Sequence, residues 1–151
     1  MARHHQPSLG SRALSILARR EHSRVELARK LAPHAAEGDD VEALLDALSA
    51  KGWLSESRYA EQVIRSKARR FGPIKIAHLL RSKGLDEDAI SSGLRAAGVD
   101  GVSSIESVWK TRFREVPADE REKARQIRFL QARGFAFDEV LRFMKNQKGQ
   151  R

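Results

Sequence analysis

Apolar residues recur in this chain at helical spacing nearly from end to end, and strand-like alternation is hard to find. Val41, Leu44, Leu45 and Leu48 follow the i, i+3, i+4, i+7 rule of an amphipathic helix. Ala60, Val63, Ile64 and Phe71 form a second stripe, and Phe137, Val140, Leu141 and Met144 a third. Weaker stripes are Leu14/Leu17/Ala18, Leu27/Ala28/Leu31, Ile76/Ala77/Leu80, Ile90/Leu94/Ala97, Ile105/Val108/Trp109 and Ile127/Leu130. The pattern predicts nine helices and no sheet, an all-α protein.

The helical pattern also repeats. VELARKL (25–31) resembles IKIAHLL (74–80) at an offset of 49, and KGLDEDAI (83–90) resembles RGFAFDEV (133–140) at an offset of 50. A helical period near 50 residues indicates a tandem array whose units each bury a face on their neighbour. One three-helix unit alone would have a marginal core. The expected organisation is a flexible tail at 1–10, three-helix repeats at 11–56, 57–98 and 99–146, and a basic tail at 147–151. Together the repeats would form an elongated, curved array.

The breaks between helices carry recognisable chemistry. Gly52, Gly84, Gly98 and Gly134 suit the left-handed position just past a helix end. Pro73 fits a first helical turn, where a missing N–H costs nothing. Asp39/Asp40 and Asp86/Glu87/Asp88 place negative charge at helix starts. In KGWLSESRYAE (51–61), Gly52 would end one unit and Ser55 would cap the next unit's first helix. Trp53, Leu54 and the only tyrosine, Tyr59, are therefore expected to pack in a structural joint. Bending is expected at 51–57 and 98–104, where Gly and Ser cluster.

Chemistry of a catalytic kind is not signalled. With no Cys there is neither a disulfide framework nor a thiolate metal site. None of the five His has a partner at metal-ligand spacing, and no glycine-rich phosphate loop occurs. The acidic cluster Glu37, Asp39, Asp40, Glu42 and Asp46 sits at one helix start, where capping and solvation account for it. No enzyme activity, metal or cofactor is expected. The opening MARHHQPSLGS lacks an apolar run, and no stretch approaches 18 apolar residues, so a cytoplasmic protein without membrane attachment is expected.

The basic residues are more informative. Lys and Arg total 29 against 20 Asp and Glu, a net charge of +9, which favours acidic or polyanionic partners. Between 58 and 84 stand Arg58, Arg65, Lys67, Arg69, Arg70, Lys75, Arg81 and Lys83, with Glu61 the single acid. At roughly 100° per residue, Arg58, Arg65 and Arg69 share a narrow face of the fourth helix, and Arg121, Arg125 and Arg128 a similar face of the eighth. An ordinary solvated face mixes signs. These residues are therefore candidates for contact with carboxylates or phosphates, which arginine can pair bidentately.

With these residues in view, the chain resembles the RecX family, regulators of the recombinase RecA. The resemblance rests on ALSILARREHSRVELARKL (13–31), KGWLSESRYAE (51–61), FGPIKIAHLLRSKGLDEDAI (71–90) and FLQARGFAFDEVL (129–141), and spans about Ala13 to Lys145. It implies three tandem three-helix repeats. It also implies a role without catalysis: binding the RecA–DNA filament and damping its ATPase, strand-exchange and coprotease activities in recombination, DNA repair and the SOS response. Single- and double-stranded DNA stand as further partners, and a monomer is expected. The chain departs from the usual pattern in its long 33–40 loop, in the apolar Ile74 and Leu79–Leu80, and in VPADE at 116–120. The family offers no catalytic motif to carry over. A different class remains open beside it: a basic helix-turn-helix DNA-binding regulator, although no dimerisation helix is evident. A third class is a basic component of a ribosome-associated complex.

Overall fold

The computed structural model describes residues 6–99 and 102–148, and among these the chain is nine α-helices without a strand. Parts of the expected tails (1–10 and 147–151) and of the expected bend at 98–104 lie outside the described residues. The first unit comprises α1 (Leu9–Arg19), α2 (Arg24–Leu31) and α3 (Val41–Ala50), with a short 3₁₀ turn Ala32–His34 after α2. The second comprises α4 (Glu56–Lys67), α5 (Pro73–Ser82) and α6 (Glu87–Ala96), and the third α7 (Val102–Lys110), α8 (Glu120–Ala132) and α9 (Phe137–Lys148). Helix α1 thus starts two residues earlier than the first repeat's expected boundary.

Local signals act where they were expected. Ser55, Asp40 and Asp86 cap α4, α3 and α6 by accepting hydrogen bonds from the backbone amides of Arg58, Ala43 and Ala89. Pro73 opens α5, and the four glycines named above all have positive φ. The capping box Ser23/Glu26 at α2 adds reciprocal bonds between backbone and side chain.

Each unit encloses its own core. Ala13, Leu27, Leu31, Leu45, Leu48 and Leu54 fill the first. Tyr59, Ala60, Ile64, Ile76, Leu80, Leu85, Ile90 and Val99 fill the second. The third holds Ile105, Val108, Trp109, Phe113, Leu130, Phe135, Val140, Phe143 and Met144. Hydrogen bonds and an ion pair join the first unit to the second, and hydrogen bonds join the second to the third, so the second is the link between them. The accessible surface is 10305 Å², well above the roughly 7,700 Å² of a compact protein of this mass. The array is open.

Two stripes are rotated from the sequence expectation. In α1 the core contacts come from Ala13, Ile16 and Leu17, while Leu14 and Ala18 face water. In α9 they come from Val140, Phe143 and Met144, which leaves Phe137 and Leu141 exposed. Several rotations of a short helix satisfy a helical period, and the neighbouring helices select among them.

The repeat explains one buried polar group. Gln126 in α8 stands where Leu27 and Ile76 stand in α2 and α5, and it is equally buried. Its Oε1 accepts a 2.8 Å hydrogen bond from the Trp109 indole, and its Nε2 donates to the Glu115 carbonyl at 3.3 Å. A large indole can enter this core because its N–H is satisfied there.

Candidate partner-binding interface

The two seams between units use one device. In each, the first turn of a unit's second helix packs against the glycine turn that follows the next unit's second helix: Val25 against Gly84, and Lys75 against Gly134. First-turn amides lack intrahelical partners, and in both seams the neighbouring unit supplies them. The Arg24 amide donates to Oε1 of Glu56 at 2.8 Å. At the second seam the partner is backbone: the Gly72 amide donates to the Arg133 carbonyl at 2.7 Å, and the Ile74 amide to the Gly134 carbonyl at 3.0 Å. Gly72, the residue before α5, offers no capping side chain, and this absence lets the two backbones meet. The positive end of the α5 dipole then faces the negative end of α8.

Around this second seam, cations and aromatic rings alternate. The Phe71 ring has Lys75 Nζ at 4.8 Å, Arg133 at 5.6 Å and Arg70 at 5.8 Å from its centroid. Arg133 also lies 5.0 Å from the Phe129 ring, with Arg112 at 5.8 Å. Phe129 meets Phe113 edge-on at 5.2 Å, and Arg125 lies 5.8 Å from Phe113. Among the described residues, Arg70, Lys75, Arg112 and Arg133 form no ion pair with a carboxylate. Ring faces hold these cations in place, while their N–H groups remain directed at solvent or at backbone carbonyls. Such a strip can receive carboxylates or phosphates.

The structure distributes the sequence-nominated cations unevenly. Arg58 belongs to the first seam: its Nε donates to Glu21 at 2.8 Å and its Nη2 to the Gly52 carbonyl at 2.6 Å. Arg65, Arg81 and Arg125 are paired with Glu61, Glu87 and Glu122 on the surface. Lys67 ends α4, and Arg69 and Arg70 lie in the turn beyond it, so the expected three-arginine face is not one helical surface. Lys83 is the half-buried residue that closes α5. Arg121, Arg125 and Arg128 do share an exposed face of α8, where with Asp119 and Glu122 they line a recess of about 380 Å³. Sequence reasoning missed Arg112, Arg133, Phe71 and Phe129 as a group, because the docking of two units brings together residues as far as 63 apart in sequence.

The joint between the first two units differs in part from expectation. Leu54 is buried in the first core and Tyr59 in the second, but Trp53 is 48% exposed, with Lys51 Nζ 5.0 Å from its ring. The joint is instead closed by polar contacts. Burial pushes the Glu26 carboxyl up, yet hydrogen bonds from Arg20, the Ser23 amide and the Tyr59 phenol outweigh it and hold the group near about 2. Burial and the adjacent Glu26 charge push Tyr59 up to about 12. His22, also buried, places Nδ1 3.0 Å from the Arg20 carbonyl and Nε2 2.7 Å from Lys30 Nζ; burial favours its neutral form. In that form Nδ1–H donates to the carbonyl and Nε2 accepts from Lys30.

No group of His, Asp or Glu among the described residues has the arrangement of a metal site. No helix among them is long and apolar enough to cross a membrane.

Comparison with known proteins gives a consistent picture. Residues 55–100 match the family described as RecX, second three-helix domain, and residues 100–144 match RecX, third three-helix domain. The chain is 48% identical to the regulatory protein RecX of Leptothrix cholodnii over 93% of this chain and 89% of that one. It is 44% identical to that of Ralstonia nicotianae over 96% and 92%. In fold it is similar to the crystal structure of RecX from Lactobacillus salivarius, with a TM-score of 0.77, 17% identity, and coverage of 93% of this chain and 94% of that one.

Proposed function

This chain belongs to the RecX family of regulatory proteins, and from that premise we propose that it is a non-catalytic negative regulator of the RecA recombinase. It binds the RecA–DNA filament and damps ATPase, strand-exchange and coprotease activities. The observation that carries the reading is the cationic strip across the second seam, mounted on a joint closed by backbone bonds. Acidic groups of adjacent filament subunits, or DNA phosphates between them, pair with Arg70, Lys75, Arg112 and Arg133. The exposed arginines of α8 extend the same charge. An array that bridges subunits favours the filament geometry it fits, and activity falls to the extent that this geometry turns over ATP less readily.

The test is the ATPase rate of preformed RecA filaments on single-stranded DNA as the protein is titrated in, with a parallel titration of the same DNA without recombinase. Inhibition at ratios that leave the free DNA mostly uncovered supports a filament regulator. Inhibition only where the DNA is saturated would replace this reading with a competing DNA binder.

A further inference from the structure

The charge of the second seam leaves one of its features unexplained: an apolar surface beside it that faces water. Ile74 is 56% exposed, Phe137 54% and Leu141 37%. The Ile74 amide is bonded to the Gly134 carbonyl, three residues before Phe137 in the chain, so the backbones of Ile74 and Phe137 stand at the same seam, within about 11 Å of chain. Leu141 lies one turn beyond Phe137 on α9. Exposed apolar side chains gathered at one place and rimmed by polar groups mark contact surfaces. The rim here is mostly basic, with Arg70, Lys75, Arg133 and, one turn past Leu141, Lys145; of the two acids beside Phe137 on α9, Asp138 is paired with Arg142 and Glu139 is half-buried.

The chemistry selects between kinds of partner. Isoleucine and leucine do not stack on bases, and phosphate binding needs no exposed aliphatic groups. Of the rings at this seam, Phe71 and Phe129 are already flanked by the protein's own cations, which leaves Phe137 as an exposed ring, and one ring is not the series of stacking platforms that a single strand uses. An apolar centre with a cationic rim instead complements a protein segment that carries acidic residues around an apolar anchor. The backbone clasp of α5 against the turn after α8 holds Ile74 in position before contact, which lowers the ordering cost of binding.

We propose that Ile74, Phe137 and Leu141, rimmed by Arg70, Lys75, Arg133 and Lys145, form the docking surface for an acidic amphipathic segment of the recombinase subunit; this rests on the functional reading above. The experiment compares wild type with the Ile74→Ser/Phe137→Ser double variant, its fold checked by helicity and melting. Each is titrated against RecA filaments assembled on oligothymidylate, and separately against oligothymidylate alone. The expected result is at least a roughly tenfold loss of filament affinity with DNA affinity unchanged.

Filament affinity equal to wild type would overturn the docking surface alone. A parallel loss of both affinities would overturn it in favour of a nucleic-acid surface. Wild-type protein that ignores the filament would overturn the functional reading, and this proposal with it. Should the double variant melt early, the single Ile74→Ser variant decides, since more than half of that side chain already faces water.

Discussion

The backbone of Gly72 lies directly against that of Gly134: a methyl group added at Gly72 would stand 2.6 Å from the Gly134 carbonyl oxygen. Neither side of that contact is a flexible side-chain end, so the clash cannot be relieved cheaply. Gly72→Ala is expected to destabilise the protein by about 1–3 kcal/mol and to loosen the second seam. Gly10→Ala, whose added methyl would meet Leu44 at an ordinary 3.8 Å, is the control. Thermal melts and small-angle scattering check both, and an unchanged Gly72→Ala melt would show that the units do not clasp.

The first seam should respond to pH at both extremes. Glu26 sits near about 2, below its ordinary 4.5, so its contribution is complete above 4.5 and lost as the pH falls toward 2. Tyr59 sits near about 12, above its ordinary 10, so its contribution is complete below 10 and lost as the pH rises toward 12. Tyr59 is the chain's only tyrosine, and phenolate absorbance therefore reports it alone. Glu26→Gln should lower that midpoint, leave it above 10, and flatten the acid limb of stability.

In the third core, Gln126→Leu restores the apolar side chain of the other two repeats yet should still destabilise. It leaves the Trp109 indole N–H buried without its acceptor, at a cost of about 1–3 kcal/mol. Gln126→Ala adds a cavity and should cost more. Denaturant unfolding followed by Trp109 fluorescence, in a Trp53→Phe background, measures both. A Gln126→Leu variant as stable as the parent would mean that the hydrogen bond contributes nothing net.

Charge reversal should discriminate among arginines of equal sequence prominence. Arg70→Glu with Arg133→Glu is expected to weaken filament inhibition about tenfold or more, whereas Arg65→Glu with Arg81→Glu, already paired with surface glutamates, should change it about twofold at most. Arg58→Glu should instead lower the melting temperature, because it places a second acid beside Glu21. Equal loss of inhibition from both double variants would show that net charge, not the strip, is what the filament reads.

Helix number, unit count and most helix ends follow from the chain alone. Their determinants are local: Ser55, Asp40 and Asp86 meet amides three residues away, and an apolar period of 3.6 needs no distant partner to be recognised. The excess of positive charge and the family resemblance are likewise properties of order and composition. What tertiary structure decided is which cations are spent on structure and which remain available. Arg58 and Arg133 are indistinguishable as letters, yet the first closes the seam to Glu21 while the second lies between Phe71 and Phe129. The exposure of Phe137 and Leu141 was decided there too. The first outcome depends on how units about 50 residues apart dock across the seams and the second on how α9 packs against its neighbours in the third core, and no local pattern in the sequence encodes either packing.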